Sequence, residues 1–188
     1  MKMFANFLLF QLAWFACVLG AANGLPWAGP AVVATVAIVH LRSVPEPRAE
    51  TMLLVSAAMV GTVFDSLLVS TGWLTYPSGQ WVGYIAPYWI IAMWVAFATT
   101  LNVSLNWLKR KPVMAAVFGA VGGPLAYFAG AKLGAVTFNA PLAAMAALAI
   151  GWALIMPLLM SLATRLDGWR PGVGGRALAT AQEGSGHV

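Results

Sequence analysis

The chain has 188 residues and a formal net charge of +5; 61% of it belongs to the AVILMFWYC set and only 8% is Asp, Glu, Lys or Arg. A water-facing surface needs roughly 25% charged residues, so this composition excludes an ordinary soluble domain and predicts a lipid-facing one. It also argues against nucleic acid as a partner, because in a membrane chain the position of the basic residues matters more than their sum. Cys17 is the single cysteine and lies in an apolar run, so no intramolecular disulfide can form.

Six apolar segments follow in order: about Phe4 to Ala22, Pro26 to Leu41, Glu50 to Gly72, Trp81 to Leu108, Pro112 to Ala135, and Pro141 to Thr164. Most approach or exceed the roughly 20 residues a helix needs to cross about 30 Å of hydrocarbon. They are too long for barrel strands and do not alternate polar with apolar. The fold class is therefore all-α, a polytopic membrane helix bundle of about six transmembrane helices occupying residues 1–166. The tail, 167–188, is rich in Gly, Ala and polar residues and is expected to be a disordered cytoplasmic extension.

Prolines punctuate the spans. Pro26, Pro112 and Pro141 suit a first helical turn, where the missing N–H costs nothing. Pro87 can restart the fourth helix, leaving Gln80–Ala86 as an interfacial lead-in. Pro124 and Pro157 fall inside spans and predict kinks.

Orientation follows from the basic residues. With the amino terminus and Lys2 inside, Arg42, Arg48, Lys109, Arg110, Lys111, Arg165, Arg170 and Arg176 all fall on the same side, leaving Lys132 alone near the other. The positive-inside rule then sets both termini in the cytoplasm. A secretory-signal reading of the first span, based on Lys2 and Gly20-Ala21-Ala22, is disfavoured by an over-long apolar stretch that contains Gln11 and Trp14.

Few side chains can carry chemistry. Asp65 is read as the only carboxylate inside a span, where a charge costs at least a few kcal/mol. It is a ligand anchor or proton-linked site, or a buried acid bonded to Thr62, Ser66 or a neighbouring helix. Lys132 is its natural partner if it turns inward, although its stem can equally snorkel to the interface. Thr99, Asn102 and Asn106 fall on one stripe with Tyr88 above; they form helix–helix glue or line a polar cavity. Trp73, Tyr76, Trp81, Tyr84, Tyr88 and Trp89 crowd one hairpin, as an aromatic belt or as the wall of an apolar pocket. Candidate ligand-binding residues are thus Asp65, Tyr84, Tyr88, Trp89, Asn102, Asn106 and Lys132.

His40, at the end of the second span, is read as a headgroup contact. One such His, one Asp and one Cys cannot build a di-iron cluster or a three-ligand zinc site. No Walker loop or Gly-x-Ser-x-Gly elbow is present. No metal, no cofactor and no catalytic residue is expected, and the reading leans away from an enzyme. Gly119-x-x-x-Gly123 and Gly130-x-x-x-Gly134 predict close helix packing on the fifth span.

The runs Gln11-Leu-Ala-Trp-Phe-Ala-Cys-Val-Leu-Gly20, Gly61-Thr-Val-Phe-Asp65-Ser, Ala86-Pro-Tyr-Trp, Phe97-Ala-Thr-Thr-Leu-Asn102-Val-Ser-Leu-Asn-Trp107 and Gly122-Gly-Pro-Leu-Ala-Tyr-Phe-Ala-Gly130 resemble an uncharacterised bacterial inner-membrane family, a domain of unknown function that is DUF2878-like. The resemblance spans about residues 5–165. It implies a histidine where this chain has Val103, and a place beside cyclopropane-fatty-acid-synthase-like enzymes, hence membrane lipid modification. In architecture alone the chain also resembles the substrate-binding subunits of energy-coupling-factor vitamin transporters. Those dock through small residues on the first helix, and Ala13, Cys17 and Ala21 fall at that spacing here.

Two functions are carried forward. One is an accessory protein that binds a lipid or apolar small molecule, with membrane lipids and a lipid-modifying enzyme as partners. The other is a small-solute transporter, or a substrate-binding subunit with a transporter partner, using Asp65 as its proton or ligand site.

Overall fold

The computed structural model describes residues 3–170. The described chain forms six α-helices: α1 (Met3–Ala22), α2 (Ala28–Arg42), α3 (Pro47–Ser70), α4 (Tyr88–Leu101), α5 (Pro112–Lys132) and α6 (Pro141–Arg165). Two-residue strands β1 (Leu74–Thr75) and β2 (Thr137–Phe138) pair antiparallel, Leu74 opposite Phe138 and Thr75 opposite Thr137. The bundle thus has a ribbon end, and an opposite tail end where Asp167–Arg170 lie.

Four helices, α1, α3, α5 and α6, are long and apolar enough to cross a membrane. On α3 the exposed large apolar side chains are Met52, Val55, Met59, Val63 and Leu67, while Leu53, Leu54, Ala57, Gly61, Asp65 and Leu68 face inward. Hydrocarbon outside and both apolar and polar groups inside is the arrangement lipid requires, so the protein is a membrane protein.

Prolines start α3, α5 and α6, where no N–H partner is needed. Gly24 and Gly134 stop α1 and α5. Each has positive φ, and the next residue's N–H reaches back to a carbonyl in the last turn, Leu25 to Gly20 at 2.7 Å and Ala135 to Gly130 at 2.9 Å. A side chain with a Cβ would resist that backbone.

The fourth segment departs from expectation. Instead of a helix from Trp81 to Leu108, the chain enters α4 only after Pro87 and leaves it at Leu101, followed by a turn and the 3₁₀ helix η1 (Asn106–Leu108). Pro87 acts as the restart, as its fixed φ predicts. Fourteen residues span only about 21 Å. The loop 71–87 before it folds back so that Tyr76 is buried.

α4 is the central post, packed by α1, α2 and α3, while α5 packs on α6. Gly119 and Gly123 meet Trp152 of α6, its carbonyl and its ring respectively, so the small-residue pair on α5 serves this chain's own α6. Ala13, Cys17 and Ala21 are buried, and Cys17 lies where a Cβ on Gly29 of α2 would be. That stripe is used inside the chain, against α2.

The tail expected from 167 onward begins packed. Glu46 N–H donates to the Gly168 carbonyl at 3.0 Å, and Lys109 pairs with Asp167 at 2.8 Å. The rest of the expected tail, 171–188, lies outside the described residues.

Candidate functional site

Asp65 lies on the inner face of α3, little more than one turn from its ribbon end, and is completely buried. Its partners are not Thr62 or Ser66. Thr62 bonds back to the Ala58 carbonyl, and Ser66 Oγ accepts the Ala86 N–H at 3.0 Å. Three aromatic donors converge on the carboxylate instead. Trp94 Nε1 donates to Oδ2 at 2.7 Å, Tyr76 OH donates to Oδ1 at 3.4 Å, and Tyr127 OH makes a short bond to Oδ1. One donor comes from α4, one from the folded-back loop and one from α5.

Gly61 makes the Trp94 contact possible. It sits one turn before Asp65, and a Cβ there would fall within the Trp94 indole. The Gly61…Asp65 spacing therefore provides both a slot for the ring and an acceptor for its N–H.

Beside this cluster is a cavity of about 410 Å³ between α1, α4, α5 and α6. Such a volume lies within the range of small-molecule sites. Its walls include Trp14, Trp89, Trp94, Tyr76, Tyr127 and Trp152, with Gln11 among its few polar groups. Asp65 itself does not line it; the acid stands behind Tyr76, Tyr127 and Trp94. α1 and α5 are not among the closely packed helix pairs, and the exposed Phe7, Phe118 and Leu125 border the cavity there. The cavity therefore approaches the surface between α1 and α5, beside these exposed apolar side chains. Trp152 Nε1 is buried in this wall with no hydrogen-bond partner among the described residues.

Of the residues singled out from sequence, Asp65 and Trp89 belong to this region. Trp89 lines the cavity, donates to the Ser78 carbonyl at 3.1 Å and meets Tyr76 edge-on at 5.5 Å. Tyr88 stacks on Trp81 at 5.1 Å, and Tyr84 is exposed; neither lines the cavity. Lys132 is exposed, with its ammonium 5.2 Å from the centre of the Phe128 ring, and makes no ion pair with Asp65. The Thr99–Asn102–Asn106 stripe does not exist as a helix face, because α4 ends at Leu101; Asn102 is a buried cap and Asn106 is exposed.

Asn102 belongs to a second buried cluster, at the tail end. Here the reading of Asp65 as the only buried acid is overturned. Glu50, in the first turn of α3, is completely buried with His40 of α2. His40 Nε2 lies 3.0 Å from Glu50 Oε2, while Asn102 Nδ2 donates to Oε1 at 2.6 Å and the Gly168 N–H donates there at 3.3 Å. The Trp169 ring meets His40 edge-on at 5.9 Å. His40 is thus no headgroup contact; the segment after α6 folds over it and excludes lipid and water alike. Nearby, Asn6 ties α1 to the end of α4 by donating to the Thr99 carbonyl at 3.1 Å and accepting from Ser104.

Tyr127, Trp94 and Glu50 were missed from sequence. A phenol in the middle of a span must find a partner, so Tyr127 did carry a signal. Glu50 carried less, since an acid in a first helical turn is ordinarily a dipole partner at the surface.

No curated protein and no solved structure matches the chain. A family match covers residues 3–158 and is described as "Protein of unknown function (DUF2878)"; the chain belongs to that family.

Proposed function

We propose that this membrane protein is an accessory binding protein that takes an apolar small molecule or lipid from the bilayer into the cavity between α1, α4, α5 and α6. The observation that carries this reading is the approach of the cavity to the surface between α1 and α5, bordered by exposed Phe7, Phe118 and Leu125, with aromatic walls backed by a buried acid. A pocket with apolar walls and few polar groups suits a hydrophobic ligand, and entry between α1 and α5 spares that ligand a passage through water. Asp65 acts through Tyr76, Tyr127 and Trp94, whose rings it orients, rather than by touching the ligand.

In the same proposal the chain resides in a bacterial inner membrane with both termini in the cytoplasm. The basic side chains support that orientation: Arg42, Arg48, Lys109, Arg110, Arg165 and Arg170 all belong to the tail end, and Lys132 to the ribbon end. A lipid-modifying enzyme is the partner that would draw on such a ligand.

The test is mass spectrometry of the protein after gentle extraction. A bound lipid or apolar molecule is expected in the wild type. It should disappear in Gly122→Leu, which places a side chain in the cavity wall, where the nearest atom is a Phe118 ring carbon 3.9 Å away. Ligand-free spectra for the wild type would sink the reading. Small-solute transport with Asp65 as its proton or ligand site is the second reading, favoured by an acid at membrane depth. Uptake unchanged by Asp65→Asn for every solute tested would remove it.

A further inference from the structure

The cavity between α1, α4, α5 and α6 is enclosed at one end and reaches exposed side chains at the other. At the ribbon end its walls include Val18, Tyr76, Trp89, Ala135 and Val136, all buried. Toward the tail end they become the exposed Phe7 and Phe118, with Ser104 and Leu105 half-buried. From Phe7 to Val18 along α1 the lining runs about 16 Å, at 1.5 Å per residue. It carries no charged side chain, so a charged group inside would lose its water with no partner to offset the loss. An elongated apolar slot suits an acyl chain, and a charged head belongs outside its exposed end.

Unpaired cations stand at that end. The backbone links Lys111 to the lining residue Leu105 through two successive turns. Leu108 N–H donates to the Leu105 carbonyl at 2.9 Å, and Lys111 N–H donates to the Leu108 carbonyl at 3.0 Å. The side chains make the same connection. The Lys111 ammonium lies 5.7 Å from the centre of the Trp107 ring, and Trp107 meets the lining residue Phe118 edge-on at 6.3 Å.

Arg110, beside Lys111, has a φ of 63°, in the left-handed region that few residues other than glycine occupy. The three consecutive basic residues part company at this turn. Lys109 is buried and paired with Asp167 at 2.8 Å, whereas Arg110 and Lys111 are exposed and make no ion pair among the described residues. At the ribbon end the exposed cation is Lys132, which lies against Phe128; neither lines the cavity.

We infer that the cavity holds the acyl chain of an anionic amphiphile, with the head at the tail end beside Arg110 and Lys111 and the chain directed toward Tyr76 and Trp89. This rests on the cavity being a binding site at all, and it adds the sign of the head group and the direction of the chain. A fatty acid and an anionic phospholipid share that chemistry.

The experiment uses the full chain in phosphatidylcholine nanodiscs and three probes of one tail length: dodecanoate, dodecan-1-ol and dodecyltrimethylammonium. Native mass spectrometry reads the bound fraction of each. Dodecanoate should bind more tightly than the alcohol, by about fivefold for each cation its head meets near the membrane surface, and the ammonium should bind most weakly. The double variant Arg110→Gln, Lys111→Gln should abolish the advantage of dodecanoate while leaving alcohol binding unchanged; both side chains are exposed, so the fold is kept. Arg48→Gln, on a helix that does not line the cavity, and Lys132→Gln, at the enclosed end, should leave the advantage in place. Phosphatidylglycerol added to the discs should displace dodecanoate if the natural ligand is a phospholipid and leave it bound if the ligand is a fatty acid. Equal binding of all three probes, or preference for the ammonium, overturns the inference but keeps the cavity as an apolar site. An advantage that survives the double variant, or is lost in Lys132→Gln, overturns the direction assigned to the chain. Binding of none of the three removes the cavity reading and this inference together.

Discussion

The Trp94 indole N–H donates to Asp65 Oδ2 at 2.7 Å across a slot that exists only because residue 61, one turn before the acid, is glycine. The relationship joins α3 to α4 and sets the back wall of the cavity. Gly61→Ala should force the indole off its acceptor, at a cost of about 1–3 kcal/mol. A lowered unfolding midpoint in detergent, together with a red shift of tryptophan emission, would register both effects.

Removing the acceptor should be worse than crowding the donor. In Asp65→Leu the donors Tyr76, Tyr127 and Trp94 all lose their partner, at about 1–3 kcal/mol for each that stays buried and unpaired. Asp65→Asn keeps one acceptor oxygen and should fall between wild type and Asp65→Leu. Thermal unfolding of the three proteins side by side gives the order; equal midpoints would show that the cluster contributes nothing to stability.

The tail-end cluster is expected to hold the segment after α6. Glu50 accepts from Asn102 and Gly168 and is bonded to His40. Glu50→Ala should therefore cost about 3 kcal/mol or more and release residues 166–170. Faster trypsin cleavage after Arg165 reads that release directly, whereas Glu50→Gln, which keeps one acceptor oxygen, should be cleaved more slowly than Glu50→Ala.

Two glycines on α5 should respond in opposite ways. At Gly119 a Cβ would press on the Trp152 carbonyl, which is backbone and cannot rotate away. At Gly122 the nearest atom is 3.9 Å distant. Gly119→Ala should lower stability through lost α5–α6 packing, while Gly122→Ala should be neutral or stabilising by up to about 1 kcal/mol, since alanine is the better helix former. Unfolding midpoints of the pair test the assignment of that interface to the chain's own α6.

The long helices were legible because lipid imposes a simple rule, about 20 apolar residues per crossing, and α1, α3, α5 and α6 obey it. α4 was over-read because the run from Trp81 to Leu108 is apolar throughout, and composition does not show that a loop has folded back into the bundle. Pro87 was the local signal that did survive. Asp65 stood out as an acid inside a span, but its partners are 11, 29 and 62 residues away, and no periodicity links them. Glu50 is the extreme case: Gly168, one of its donors, is 118 residues away, so its burial is decided wholly by tertiary folding.

Those separations bear on how the protein is made. Synthesis runs from the amino terminus, so α3 reaches the bilayer before α4 and α5, which carry Trp94 and Tyr127, have entered it. At that moment Asp65 has neither donor, and the helix must be carried in by Met52, Val55, Met59, Val63 and Leu67, the side chains that later face lipid. The acid stays a liability until α4 and then α5 arrive. A nascent chain stopped between them exposes an unmated carboxylate within the membrane, a mark by which quality control can tell an unfinished copy from a finished one.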